Sequence, residues 1–169
     1  MGCRRRWTAD EIRAVTINMG VLTRLATKVG LLKSHGERNP ARIFLLEDDE
    51  RRCDWFTKRF KGDHLDIVCE VPEAKELLKA RIYDSIFLDH DLKPEHYGAT
   101  ANDDERTGFA IAHFLASHPE LQRSATIMVH SFNADGAMRM VEELRRAGRH
   151  ADYVPFHFLE DRIKNLWPR

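Results

Sequence analysis

From Arg42 onward, short continuous apolar runs alternate with longer stretches in which apolar residues recur every three or four positions. Ile43 to Leu46 is such a run, ending in Glu47-Asp48-Asp49, and it predicts a strand buried on both faces with acids just past its end. Trp55, Phe56, Arg59 and Phe60 then give a helix with one apolar side, stopped at Gly62. Leu65 to Cys69 predicts a second strand, Pro72 opens a helix through Leu77 and Leu78, and Tyr83 to Leu88 predicts a third strand ending in Asp89-His90-Asp91. A polar loop over 93–106 leads to a helix carrying Phe109, Ile111, Phe114 and Leu115. Ala125 to Val129 reads as a fourth strand ending in His130-Ser131, followed by a helix from Ala134 to Ala147. Asp152 to Phe156 reads as a fifth strand before a last helix. Strands alternating with helices through short connections predict an α/β fold, a doubly wound five-stranded parallel sheet covered on both faces.

The first 40 residues follow a different pattern. Thr8 and Glu11 have capping-box spacing, Ile12, Val15 and Met19 recur at helical intervals, and a second stripe runs through Val21, Leu22, Leu25, Ala26 and Val29 to Gly30. The polar stretch from Ser34 to Pro40 reads as a linker, which divides the chain into a helical extension over 1–40 and a domain over 41–169. Charge follows the same division: residues 1–40 hold eight Lys or Arg against three Asp or Glu, and the remainder holds nineteen against twenty-four. A basic arm of this kind could contact nucleic acid through phosphate attraction, although a solvated charged face is the commoner origin of such a run.

Composition narrows the class further. No apolar run approaches the ~18 residues a spanning helix needs, and no uninterrupted apolar stretch follows Arg4, Arg5 and Arg6, so the expectation is a cytoplasmic protein without membrane contact. Cys3, Cys53 and Cys69 show no paired spacing and predict neither disulfides nor a zinc site.

In open α/β sheets ligands bind outside the carboxyl ends of the strands, where strand order reverses. The conspicuous polar groups fall there: Glu47, Asp48 and Asp49 after the first strand, Asp89, His90 and Asp91 after the third, and His130, Ser131 and Asn133 after the fourth. Any one of them could serve as a turn or cap residue, but independent caps need not share one edge. Clustered carboxylates favour a hard divalent cation with oxygen ligands.

These segments resemble a known family. Ile43-Phe44-Leu45-Leu46-Glu47-Asp48-Asp49-Glu50 is similar to the first strand of response-regulator receiver domains, and Tyr83-Asp84-Ser85-Ile86-Phe87-Leu88-Asp89 to the strand carrying their phosphoacceptor aspartate. The resemblance implies a receiver (flavodoxin-like) fold, with Glu47 and Asp48 at the metal site, Asp89 as phosphoacceptor, the Asp91 carbonyl completing the metal shell, and Ser131 contacting phosphate. Two features depart from it. The lysine that receivers carry before a proline after the fifth strand is missing from Tyr153-Val154-Pro155-Phe156, and two histidines are gained, His90 and His130, with a loop bearing His96, Asn102, Asp103 and Asp104.

Leu88-Asp89-His90-Asp91-Leu92, Thr107-Gly108 and His130-Ser131-Phe132-Asn133-Ala134-Asp135-Gly136-Ala137 together resemble the cyclic-phosphate processing receiver domains. That resemblance implies a metal-assisted phosphoesterase acting on a cyclic phosphate of a nucleotide or RNA end. Mg²⁺ or Mn²⁺ would be held by Glu47, Asp48, Asp89 and Asp91. His130 would act as general acid or base, His90 would extend the metal site or orient that histidine, and Ser131 or Asn133 would hold a phosphate oxygen. His113 and His118 read as helix-surface residues. Two other classes stay open: a stand-alone signalling receiver phosphorylated on Asp89, and a non-catalytic phosphate-binding adaptor.

Overall fold

The structure, a computed structural model, describes residues 39–92 and 105–166, so the basic arm and the loop bearing His96, Asn102, Asp103 and Asp104 lie outside the described residues. Five parallel strands form one sheet: β1 (Arg42–Leu46), β2 (His64–Val68), β3 (Ser85–Leu88), β4 (Thr126–Val129) and β5 (Ala151–Tyr153). The helices between and after them are α1 (Glu50–Arg59), α2 (Val71–Ala80), α3 (Phe109–Ser117), α4 (Ala134–Arg146) and α5 (Leu159–Leu166), with a 3₁₀ turn at Phe156–Phe158. The expected elements are all present among the described residues. The third strand is shorter at its start than the apolar pattern suggests, and the fifth ends three residues early, because Pro155 cannot donate to a ladder and opens the 3₁₀ turn instead.

Strand order is β2-β1-β3-β4-β5, so the direction of winding reverses between β1 and β3. Alternation along the strands sorts side chains onto two faces. Phe44, Leu46, Ile86, Leu88, Ile127 and Val129 pack with residues of α2, α3 and α4. Ile43, Leu45, Phe87 and Met128 pack on the other face with Phe56 of α1 and with Leu159 and Ile163 of α5. Both faces are buried, which explains why the strands read as continuous apolar runs. Among the described residues no helix is long and apolar enough to cross a membrane.

At the amino ends of the strands, Gln122 holds the layers together. Its Oε1 accepts from Tyr83 N at 3.0 Å and its Nε2 donates to Leu78 O at 2.7 Å and Arg81 O at 2.6 Å. It does so from a left-handed backbone position, with φ of 52°.

Candidate metal and phosphate site

The site follows from the register. Leu46, Leu88 and Val129 are aligned across β1, β3 and β4. One residue further along each chain, the ladder persists: Glu47 N donates to Val68 O, Asp89 N to Leu46 O and His130 N to Leu88 O, each at 3.0 Å. Glu47, Asp89 and His130 therefore form one tier beyond Leu45, Phe87 and Met128, on the face that α1 covers.

The chain turns sharply after Glu47, whose Oε1 accepts from the backbone N–H groups of Asp48 and Asp49, both at 2.9 Å. This turn brings Asp48 back toward the tier. Glu47, Asp48 and Asp89 each offer a carboxylate oxygen, all within 4.8 Å of one another. Asp49 is excluded from that group because it caps α1, accepting from Arg51 N at 2.8 Å and Arg52 N at 3.2 Å.

Capping α1 at Asp49 places Arg52 in its first turn, four residues before Phe56 on the inward face. Helical side chains lean toward the N-terminus, so Arg52 reaches back over the acids. Its Nη2 lies 2.8 Å from Asp89 Oδ2 and 3.0 Å from Glu47 Oε1, in a side chain only 8% exposed. Sequence reading finds the missing lysine but not this replacement. The signal was available, since Arg52, Phe56 and Phe60 recur every four residues on what is otherwise an apolar stripe.

One guanidinium against three carboxylates leaves two negative charges, and the electrostatics reflect it. Burial, then the charge of Asp89, pushes the Glu47 carboxyl up to about 8 despite the opposing pull of Arg52. Burial and Asp89 also raise Asp48. Arg52 is moved upward overall: burial works against its charge, but Asp89 and Glu47 outweigh that. A divalent cation is the charge this cluster lacks. Its residues fit one, because Glu47 Oε2 and Asp48 Oδ1 are buried oxygens with no hydrogen-bond partner.

His130 lies beside Glu47, Nδ1 to Oε2 being 3.7 Å, but its ring is fully buried, with Phe56, Phe87 and Phe156 at centroid distances of 5.3, 6.4 and 6.4 Å. Burial holds its pKa down, to about 4, so the ring is neutral at physiological pH. His90 occupies the other face of the sheet. Its Nδ1 lies 2.7 Å from Asp91 Oδ1, so the Asp91 carboxylate is engaged by an imidazole. Asn133 Nδ2 approaches both at 3.4 Å, while Asn133 Oδ1 caps α4 by accepting from Gly136 N. Ser131 Oγ accepts from Asn133 N at 3.2 Å. Of the residues singled out from sequence, Glu47, Asp48, Asp89 and His130 are thus brought together on one side. His90, Asp91 and Asn133 form a second group beside Asp89, joined to it through the His90 N–H that donates to Asp89 Oδ1 at 2.8 Å.

Two glycines make this packing possible. A Cβ on Gly108 would sit 1.8 Å from Asp89 O, and Gly108 N donates to His90 O at 2.8 Å. A Cβ on Gly136 would lie 2.6–2.7 Å from three atoms of the His90 ring. The glycines of the quoted motifs are therefore places where backbone must approach Asp89 and His90 closely.

Among the described residues nine buried side-chain polar atoms lack a hydrogen-bond partner, and seven of them belong to Glu47, Asp48, Arg52, His90 and His130. Such atoms cost stability wherever they occur, and a bound ligand is one thing that would satisfy those of Glu47, Asp48 and Arg52. A separate cleft of about 890 Å³ between α2 and α3, lined by Lys75, Lys79, Phe109 and His113 among others, includes none of the clustered carboxylates.

Comparison with known proteins agrees with the fold and the motifs. Among solved structures the chain is similar to a CheY-like response regulator receiver domain from Methylobacillus flagellatus, with 15% identity and a TM-score of 0.52 over 76% of this chain and 100% of that one. It is also similar to the receiver domain of a Pseudomonas aeruginosa sensor histidine kinase with a magnesium ion coordinated in its active-site cleft, with 19% identity and a TM-score of 0.53 over 75% and 97% of the two chains. A third likeness is to the response regulator TrrA from Thermotoga maritima in complex with Mg²⁺-BeF, with 16% identity and a TM-score of 0.51 over 75% and 99%. At such identities the likeness speaks for the fold alone. No curated protein matches the chain. The sequence pattern of the cyclic-phosphate processing receiver domain matches residues 43–146, more than half of the chain, and the protein therefore belongs to that family.

Proposed function

We propose that this domain hydrolyses a cyclic phosphate ester on a nucleotide or RNA end to a monoester, with Mg²⁺ or Mn²⁺ held by Glu47, Asp48 and Asp89. The observation that carries this reading is the His90–Asp91 pair: an imidazole held through Nδ1 at 2.7 Å, with Nε2 unpartnered, one residue beyond Asp89. A carboxylate on one ring nitrogen fixes the tautomer and leaves the other nitrogen to exchange a proton. A switch that only accepts a phosphoryl group on Asp89 has no need of that arrangement, whereas ester opening does.

A bound cation would polarise a phosphoryl oxygen. Opening the ring requires a water oxygen to bond to phosphorus, one ester P–O bond to break, the water to lose a proton and the departing alkoxide to gain one. His90 takes the first proton at Nε2, which is buried beside Gly136 and must swing clear of α4 to reach the substrate, and returns it to the leaving oxygen. We assign this role to His90 rather than His130: both rings are buried, but His130 is enclosed by phenylalanine rings with its pKa held down to about 4, whereas His90 has the Asp91 carboxylate on Nδ1. Arg52 orders Glu47 and Asp89 through Nη2 and has two further N–H positions for phosphate oxygens, at Nε and Nη1.

The test is to incubate the protein with 2′,3′-cyclic nucleotides and cyclic-phosphate RNA ends, with and without Mg²⁺ or Mn²⁺, beside a parallel sample given a small acyl phosphate donor. Divalent-dependent monoester formation without a stable aspartyl phosphate is the expected result. A stable phosphoryl group on Asp89 with no ester turnover would instead establish a signalling receiver.

A further inference from the structure

Phe132 is 75% exposed, although it stands between Ser131, which is buried, and Asn133, the cap of α4. Its surroundings are polar: Asn133 and Asp135 follow closely, and Ala134 between them is small. A lone bare ring in such a setting is too little apolar surface for a protein partner. Its position is specific in another way. The Arg52 guanidinium carbon lies 5.4 Å from the ring centroid, while Nη2 of the same guanidinium is 2.8 Å from Asp89. Phe132 is thus tied by one cation to the acidic cluster, and the ring retains wide exposure to solvent.

We propose that Phe132 and Arg52 form a nucleotide-binding grip, in which the Arg52 N–H groups bind a phosphate and the exposed face of Phe132 stacks the nucleobase of the same molecule. Two independent observations converge on it. Arg52 is nine-tenths buried yet leaves Nε and Nη1 without partners, so it has donors for an anion. Phe132 provides a planar apolar face, on which any base stacks without regard to its hydrogen-bonding edge. A phosphate and a flat ring joined by a sugar satisfy both at once, which narrows the ligand to nucleotides and terminal nucleotides of RNA. Stacking of this kind tolerates all four bases, so the grip selects for a nucleoside and not for a sequence.

This inference rests on the phosphate-site reading above, and the experiment separates the two. Binding of inorganic phosphate, adenosine 3′-monophosphate and cytidine 3′-monophosphate is measured by calorimetry in Mg²⁺, with wild type, Phe132→Ala and Phe132→Trp. Phe132 is exposed, so neither substitution disturbs the core. Wild type should bind both nucleotides more tightly than phosphate. Phe132→Ala should lose roughly 5- to 150-fold in nucleotide affinity while phosphate affinity shifts by no more than ~5-fold, the scale of its ring contact with Arg52, and Phe132→Trp should keep the nucleotide affinity. Equal nucleotide affinity in wild type and Phe132→Ala overturns the stacking role while leaving the phosphate site intact. Failure of wild type to bind phosphate in any form overturns the site itself, and the grip with it.

Discussion

Gln122 and Arg52 are both long polar side chains buried in this domain, at opposite ends of the same sheet, and they are satisfied to very different degrees. Gln122 fills its hydrogen bonds with three backbone groups from α2 and the segment before β3. Arg52 bonds two carboxylates through one nitrogen and leaves the other two without partners, in a tier where Glu47, Asp48, His90 and His130 have orphaned atoms of their own. Burial alone says little about purpose. Saturation is what distinguishes a polar group that holds the fold from one that waits for a ligand.

If that distinction holds, the amino-end network should fail first when truncated. Gln122→Ala strips partners from Tyr83 N, Leu78 O and Arg81 O, so chemical denaturation should show a loss of about 3 kcal/mol or more. A loss below ~1 kcal/mol would mean that water replaces those bonds readily, and saturation would then be a poor guide.

Gly136→Ala probes the boundary between holding and binding. Its new Cβ would lie 2.6 Å from the His90 ring, which must move or push α4 outward, at a cost of roughly 1–3 kcal/mol. The displaced ring should show as a changed His90 imidazole NMR signal in the folded variant, and an unmoved signal would argue against the close approach.

Acidity separates the ends again. Glu47 keeps its proton in the folded state up to about 8 but ionises near 4.5 when unfolded, so its contribution is complete below 4.5 and is lost as pH rises toward 8. Asp48 acts with the same sign. His130 acts oppositely, its pKa of about 4 against 6.5 stabilising the fold above 6.5 and losing that effect as pH falls toward 4. Between pH 6.5 and 8 Glu47 is titrating and His130 is not, and without divalent cation stability should drop by about 2 kcal/mol. Glu47→Gln should flatten most of that slope in denaturation curves recorded with a chelator, and an unchanged slope would remove Glu47 as its source. The smallest of these effects is on the metal: Asp48→Asn removes one oxygen ligand's charge and should weaken Mg²⁺ or Mn²⁺ binding by about tenfold, ~1.4 kcal/mol, in a calorimetric titration.

Most of the sheet was legible because buried parallel strands and amphipathic helices have distinct periods, and the acids of β1 and β3 were legible because they end those strands. What the chain order concealed was reach. Arg52 belongs to a helix whose apolar stripe it interrupts, and nothing local shows that its guanidinium crosses to β3. Alternation did carry information about the histidines: odd and even positions past the strand ends separate His130, with Glu47 and Asp89, from His90. Which histidine is enclosed by Phe56, Phe87 and Phe156 depends on residues up to 74 positions away, and only the packed domain shows it.

If His90, held by Asp91, moves the proton during ester opening, its loss must show in the turnover of a 2′,3′-cyclic nucleotide by His90→Ala in saturating Mg²⁺ or Mn²⁺. The expected result is a fall in kcat of about 10²- to 10⁴-fold with metal affinity and folding intact. A variant that turns over as fast as the wild type would contradict it.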